Sequence, residues 1–261
     1  DDTLEMLVDH QRRTAIRANH SATHLLHEAL RRSLGDHVAQ KGSLQDAERT
    51  RFDISQPVAI DAETLKNIEA EVNDEIRANT KVVTRIMPLE EARNSGAMAL
   101  FGEKYDDEVR VVSMGTEIAG QNKPYSVELC GGTHVNRTGD IGLFKIISES
   151  AVSAGIRRIE ALTGANALKY LEDQEEALLQ TAQLLKSSPA EVKNRVKALS
   201  DEKKKLEQEV ANLRKQLATG GSASSNDDVK EINGVKFIGK VLEGFPAKDL
   251  KGMADDLKKK L

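Results

Sequence analysis

Two pairs of side chains stand out by type and spacing. His20-x-x-x-His24 and Cys130-x-x-x-His134 lie about a hundred residues apart and use the only cysteine and three of the six histidines. Three imidazoles and one thiolate are a donor set that zinc takes in tetrahedral coordination. Histidines at i and i+4 on a helix sit one turn apart and can reach one ion. Cysteine ligates as the thiolate, so a metal must lower its pKa. The His-x-x-x-His spacing alone is common. A zinc-protease reading would need Glu after the first His, and position 21 is Ser. Cys130-Gly131-Gly132-Thr133-His134 is more specific, because the glycines let the chain turn sharply and return His134 beside Cys130. Taken singly, each His reads as a surface residue and Cys130 as a small buried hydrophobe. Together they read as one metal site.

The elements that must position these groups can be traced in the chain. Residues 14–34 have the spacing of one helix, with His24, His27 and Arg31 each within about 40° of His20 at 3.6 residues per turn. Leu25, Leu26, Ala29 and Leu30 fall on the opposite side. A polar face of three His and one Arg, with no Lys or Glu, is unusual for simple solvation. His27 shares the stripe as a further ligand or a group behind the ligands, while His10 and His37 read as surface residues. Short strands are expected at 37–43 and 51–55, then a helix at 62–78 capped by Asp61. A strand at 81–87 ends at Pro88, a short helix covers 89–94, and a strand covers 109–114. Tyr125 to Cys130 alternates strictly, with Tyr125, Val127 and Leu129 on one face and Ser126, Glu128 and Cys130 on the other. Cys130 then leaves its strand on the polar side, and Glu128 reads as a solvated acid rather than a general base. Residues 141–149 and 155–162 pair as a hairpin.

The fold class that follows is α+β: an antiparallel-sheet domain with packed helices over residues 1–164. Leu168, Leu171, Leu178 and Leu185, then Val192, Val196, Leu199, Leu206, Val210, Leu213 and Leu217, follow heptad-like spacings on either side of Ser187-Ser188-Pro189. Residues 165–217 therefore read as an antiparallel helical hairpin, a coiled-coil connector whose seam is the two stripes. Residues 218–228 form a flexible linker able to span about 20 Å. Residues 229–261, a strand at 235–242 and a helix at 247–261, read as a truncated α/β piece.

Composition narrows the function classes. A net charge of −4 excludes a globally basic nucleic-acid coat, so any RNA contact must be local. Arg12, Arg13 and Arg17 precede the His helix, Arg31 and Arg32 end it, and Arg157 and Arg158 lie in the hairpin. One cysteine excludes an intrachain disulfide and fits a reducing, cytoplasmic compartment. No stretch has the apolar length of a membrane span. The acidic start without Met suggests a fragment of a longer chain.

Five blocks occur in a telling order: Asn19-His20-Ser21-Ala22-Thr23-His24-Leu25-Leu26-His27, Gln40-Lys41-Gly42-Ser43, Leu100-Phe101-Gly102-Glu103-Lys104-Tyr105, Glu128-Leu129-Cys130-Gly131-Gly132-Thr133-His134 and Gly155-Ile156-Arg157-Arg158-Ile159-Glu160-Ala161. Over nearly its whole length the chain resembles the editing region of the bacterial alanyl-tRNA synthetases, with their helical connector and the start of their C-terminal domain. Free-standing alanyl-tRNA editing proteins and the editing domain of threonyl-tRNA synthetases share the two donor pairs. The resemblance implies a Zn2+-dependent aminoacyl-tRNA deacylase. It would hydrolyse Ser-tRNA(Ala) and Gly-tRNA(Ala), spare Ala-tRNA(Ala), and form a homodimer through its C-terminal parts. It assigns His20, His24, Cys130 and His134 to the metal and Thr23 and Gln40 to the aminoacyl group. Arg157 and Arg158, with Arg31 and Arg17, are assigned to the tRNA acceptor end. ATP and Mg2+ would belong to an aminoacylation domain not present in this sequence. Four protein ligands make a closed shell, as in structural zinc sites, whereas catalytic zinc keeps an open position. The alternative is therefore a structural-zinc module for tRNA binding or dimerisation.

Overall fold

A computed structural model describes residues 3–98, 105–118, 120, 123–220, 229–239 and 247–258. Leu100–Lys104 of the third block lie outside the described residues. The chain divides into two units, Asp1–Glu175 and Glu176–Leu261.

The first unit holds helices α1 (His10–Leu34), α2 (Ala62–Arg77) and α3 (Leu89–Asn94) and seven strands. These are β1 (Gln40–Gln45), β2 (Thr50–Ser55), β3 (Val83–Pro88), β4 (Glu108–Ile118), β5 (Lys123–Leu129), β6 (Phe144–Ser153) and β7 (Ile156–Thr163). They form two antiparallel sheets, ordered β1-β2-β7-β6 and β3-β4-β5. The unit is α+β, as the sequence predicts. α1 packs against α2 and against strands of both sheets, β5 from one and β1, β2 and β7 from the other. Its apolar residues Leu25, Leu26, Ala29 and Leu30 are fully buried with Phe52 and Ile54 of β2, Ile68 and Val72 of α2, and Ile159 of β7. A smaller cluster, Ala92, Val109, Val111, Val127 and Leu129, ties α3 to β4 and β5.

The boundaries show where local chemistry decides. α1 starts four residues before the expected Thr14, because Asp9 accepts from Arg12 N at 3.0 Å and caps a polar first turn that carries no apolar signal. Asp61 caps α2 as expected, taking both Thr64 N and Thr64 Oγ1. β1 begins at Gln40 rather than His37. The intervening connector is held to α1 by Arg31, which donates to the carbonyls of Asp36 and Val38. α2 meets the edge of β6 through Asn73, whose amide reproduces a strand pairing. It donates to Phe144 O at 2.8 Å and accepts from Phe144 N at 3.0 Å.

The second unit contains the end of α4 (Gly164–Leu184), which begins in the first unit, then α5 (Val192–Gly220), β8 (Val229–Ile232), β9 (Val235–Ile238) and α6 (Ala247–Lys258). The helices are separate, not one kinked rod. Lys186 adopts a left-handed φ of 49° and Pro189 opens a short 3-10 turn. Leu178 of α4 and Val196, Leu199, Leu206, Val210 and Leu213 of α5 are exposed, so these stripe positions face solvent rather than a closed seam. Helix α5 continues through residues 218–220, which had been assigned to the linker, and residues 221–228 lie outside the described residues. β8, not anticipated from sequence, pairs with β9 across Asn233-Gly234. Both turn residues have positive φ, the conformation an Asn-Gly hairpin turn requires. Residues 240–246 and the end of the C-terminal helix at 259–261 lie outside the described residues. Among the described residues no helix is long and apolar enough to cross a membrane.

The Asn73 pairing predicts its own test. Asn73→Ala leaves two backbone groups of the fully buried Phe144 without partners, each costing about 1–3 kcal/mol. Urea denaturation should show a lower midpoint with an unchanged slope.

Candidate metal centre

The two donor pairs converge. His20 and His24 project from successive turns of α1, and Cys130 and His134 come from the turn that follows β5. Their ligating atoms all lie within 4.8 Å of one another. Cys130 Sγ is 3.6 Å from His20 Nε2 and 3.3 Å from His134 Nε2. Zinc–nitrogen bonds near 2.0–2.1 Å and a zinc–sulfur bond near 2.3 Å, set at tetrahedral angles, require N···S separations of about 3.6 Å. The donor chemistry and spacing both fit a zinc ion.

Neighbouring groups build the turn. Ser21, next to His20, receives Val135 N at 3.1 Å and contacts His134 Nδ1 at 3.1 Å. That contact leaves His134 Nε2 on the Cys130 side. Arg110 of β4 donates to Cys130 O at 2.8 Å and Gly132 O at 2.6 Å. Arg110 carried no sequence signal, since it is a lone cation in a strand of alternating character. The glycines act differently from expectation. Neither has a positive φ. A Cβ on Gly132 would lie 2.1 Å from His20 Cε1, whereas one on Gly131 would meet nothing within 4 Å. Gly132 is required by close approach to an imidazole, not by the sharpness of the turn.

Behind the donors lies the main correction to the sequence reading. Glu128 is 8% exposed, not solvated, because α1 covers the face of β5 that carries it. Its Oε2 lies 2.7 Å from His24 Nδ1, at an angle oblique to the ring N–H, and its Oε1 lies 2.9 Å from His27 Nδ1. His27 is buried, and its Nε2 finds no hydrogen-bond partner. Burial works against charge here, but the imidazoles prevail and hold the Glu128 carboxyl well below the usual carboxylate range. Burial likewise lowers His24, yet Glu128 and Cys130 outweigh it and raise His24 to about 10. Burial raises the Cys130 thiol, and contacts with His134, His20 and His24 bring it down to about 3. His134 falls to about 4, through burial first and the neighbouring imidazoles after, although Cys130 raises it. A thiolate beside a neutral His134 is the ligating form of both groups.

A cleft opens beside the donors, lined by His20, His24, Cys130, Thr23, Gln40 and Phe52 among others. Both expected pocket residues are present. Gln40 Nε2 donates to Ser43 Oγ at 3.3 Å. Thr23 Oγ1 donates to Asn19 O at 2.8 Å and lies 2.7 Å from Thr50 Oγ1. With the Thr23 proton on Asn19, Thr50 must be the donor of the second bond.

The expected tRNA-contacting arginines are not gathered at the cleft. Arg157 makes a two-point pair with Glu149, and Arg158 makes one with Asp53 at 2.7 and 2.8 Å. Arg31 pairs with Asp36 at 2.7 Å. Arg17, half-buried on α1, has no ion-pair partner among the described residues.

Residues 109–160, which include β5 and the Cys130–His134 turn, match the family described as threonyl and alanyl tRNA synthetase second additional domain. The chain is 59% identical over 258 residues to an "Alanine–tRNA ligase" of Cereibacter sphaeroides, an alignment covering 97% of this chain and 29% of that protein. It is 57% identical over 264 residues to that of Rhizobium meliloti, covering 100% of this chain and 30% of that protein. With that of Granulibacter bethesdensis it shares 57% identity over 258 residues, 99% of this chain and 29% of the relative. Nearly the whole chain thus matches one stretch of bacterial alanine–tRNA ligases, and it spans less than a third of the length of these relatives.

Two outcomes follow. Gly132→Ala forces His20 aside and should weaken zinc binding by about 10- to 100-fold, the scale on which disturbing ligand orientation is felt, while Gly131→Ala binds as the parent. Competition with a chromophoric chelator measures both. The Asp53–Arg158 pair sets a pH signature. Hydrogen bonds from Arg158 hold Asp53 below its ordinary 3.8 despite burial. The carboxylate's contribution is therefore present above pH 3.8 and lost as pH falls through the lower folded value. Arg158→Met should lower the urea midpoint at neutral pH, and its difference from the parent should shrink below pH 3.8.

Proposed function

We propose that this chain carries the proofreading site of an alanyl-tRNA synthetase, a zinc-centred deacylase that hydrolyses Ser-tRNA(Ala) and Gly-tRNA(Ala) in the cytoplasm. The observation that carries the reading is the meeting of His20, His24, Cys130 and His134 beside a cleft walled by Thr23 and Gln40. Ligation of alanine to tRNA with ATP and Mg2+ is assigned to parts of the relatives that this chain does not span. The exposed apolar positions of α5 and of β8 and β9 are assigned to a homodimer contact.

A second sieve has a physical rationale. A synthetic pocket built for alanine cannot strongly reject glycine, which is smaller, or serine, which adds one hydroxyl. Zinc held by the four donors would supply Lewis-acid polarisation and placement of the ester. The chain's own residues supply selection. Because the Thr23 proton is committed to Asn19, its oxygen can only accept. A serine hydroxyl satisfies such an acceptor, glycine leaves room for a water, and the alanine methyl would cover it without a hydrogen bond. Gln40 offers an amide at the same wall. Glu128 is not assigned as general base, since each of its oxygens faces an imidazole. A hydroxyl of the terminal ribose is the proton relay in this reading. Arg157, Arg158, Arg31 and Arg17 are assigned to phosphates, where they position the acceptor end without reading sequence.

A second reading is favoured by one observation: four protein donors form a complete tetrahedral set, the mark of a structural site. Time courses with Ser-tRNA(Ala), Gly-tRNA(Ala) and Ala-tRNA(Ala) separate the two. The deacylase reading expects hydrolysis of the first two, little of the third, and a loss of about two orders of magnitude in Cys130→Ala, the scale on which losing a charge-stabilising group is felt. Stoichiometric zinc with no hydrolysis of any of the three would make the site structural.

A further inference from the structure

We infer that Glu128 is the positioning residue of the metal centre, with His27 as its counterweight. Glu128 holds His24 so that Nδ1 faces the carboxylate and Nε2 faces the other three donors. The inference deepens the reading above and rests on those donors holding an ion.

Glu128 is 8% exposed, and among the described residues only the His24 and His27 side chains lie within ion-pair or hydrogen-bond distance of it. A buried carboxylate needs donors for its oxygens, because leaving one bare in an apolar setting is costly. Here each oxygen meets one Nδ1: His27 Nδ1 hydrogen-bonds at 2.9 Å, and His24 Nδ1 makes an ion-pair contact at 2.7 Å, oblique to its N–H. A carboxylate offers only acceptors, so both Nδ1 atoms must carry the proton. That keeps the proton on His24 Nδ1, so the proton a zinc ion would displace is the one on Nε2, the arrangement typical of metal-bound histidine. The same logic excludes His27 as a ligand. Its Nε2 is buried and unpartnered, and its ring stands against Phe52 at a centroid distance of 5.2 Å and 68°.

His27 is needed because one imidazole cannot cover two oxygens. Without it, Glu128 would keep one oxygen bare in the core or turn away from His24. His24 and His27 lie one turn apart on α1, while Glu128 is near the end of β5 and Cys130, two residues on, opens the turn that follows it. Ser21 plays the corresponding part for His134, at 3.1 Å from its Nδ1.

Zinc affinity, measured on the full chain by chelator competition with circular dichroism as a control on folding, tests this. Glu128→Gln presents an amide N–H to an imidazole N–H and should weaken zinc about 10- to 100-fold in a folded protein. His27→Gln, which keeps an N–H for the carboxylate, should weaken it less. Folded Glu128→Gln binding zinc as tightly as the parent overturns the inference. Failure of the parent to bind zinc would instead strike the metal reading itself. Should Glu128→Gln not fold, long-range 1H–15N spectra of the zinc-loaded parent decide. A protonated Nδ1 and metal-bound Nε2 on His24, with His27 metal-free, support the inference, and metal on His24 Nδ1 overturns it.

Discussion

A helix covered by strands from two sheets must find a partner for every polar group it carries inward. α1 buries Asn19, Ser21, Thr23, His24 and His27 together with its leucines. Asn19 donates to Asp46 O and accepts from Thr163 Oγ1. Ser21 takes Val135 N, Thr23 meets Thr50, and the two histidines share Glu128. An unpaired buried polar group costs about 1–3 kcal/mol by mutational measures, so the position of α1 is favoured by the many groups it satisfies, with His27 Nε2 and the oblique His24 Nδ1 as the exceptions. The same bonds therefore fix the β1–β2 loop, β7, β5 and the Cys130–His134 turn around one helix. Fold and site are held by one set of interactions. This explains how donors 110 residues apart come within bonding distance without a local motif to join them.

What could be read from sequence, and what could not, divides along a physical line. Residue type and spacing gave the donor set, the Asp61 cap and the α3 helix, because these depend on a few adjacent residues. Alternation in Tyr125–Cys130 placed Glu128 and Cys130 on one face. Alternation ordinarily marks one solvated face, and it misled here because the polar face of β5 is covered by α1, whose His24 and His27 meet Glu128. Asn73, Arg110 and Thr50 were invisible for a related reason. Each serves a backbone group or hydroxyl distant in sequence, and nothing in its own neighbourhood marks it. β8 was missed, because Val229 to Ile232 is too short and too polar to read as a strand before its pairing with β9 is seen.

The arginines show how pairing alters an electrostatic argument. Arg157 and Arg158 were attractive as phosphate contacts because they are adjacent cations in a chain of net charge −4. Their neighbours on β7 point them to different carboxylates, Glu149 and Asp53. Each two-point pair uses Nε and Nη2 and largely cancels the charge, while the Nη1 protons of a five-donor group remain available. Such groups still orient a phosphate by hydrogen bonds, but they contribute little long-range attraction. In the proofreading reading, delivery of the acceptor end to the cleft then falls to other parts of the whole enzyme, and this unit contributes local fit.

The closed donor set raises the question of which ligand has the least independent support. His24 is backed by Glu128 and His134 by Ser21. Cys130 is held through its backbone, with its N–H on Arg110 O and its carbonyl under the Arg110 guanidinium. His20 alone has no hydrogen-bond partner among the described residues beyond the Cys130 sulfur; its ring packs against His134 and His24, at centroid distances of 4.4 and 5.2 Å, in the space that Gly132 leaves open. A donor fixed by packing on one side and by nothing polar on the other is the one that yields at least cost. In the proofreading reading, His20, which lines the cleft together with His24 and Cys130, would be the ligand whose hold on an ion is least reinforced by this chain.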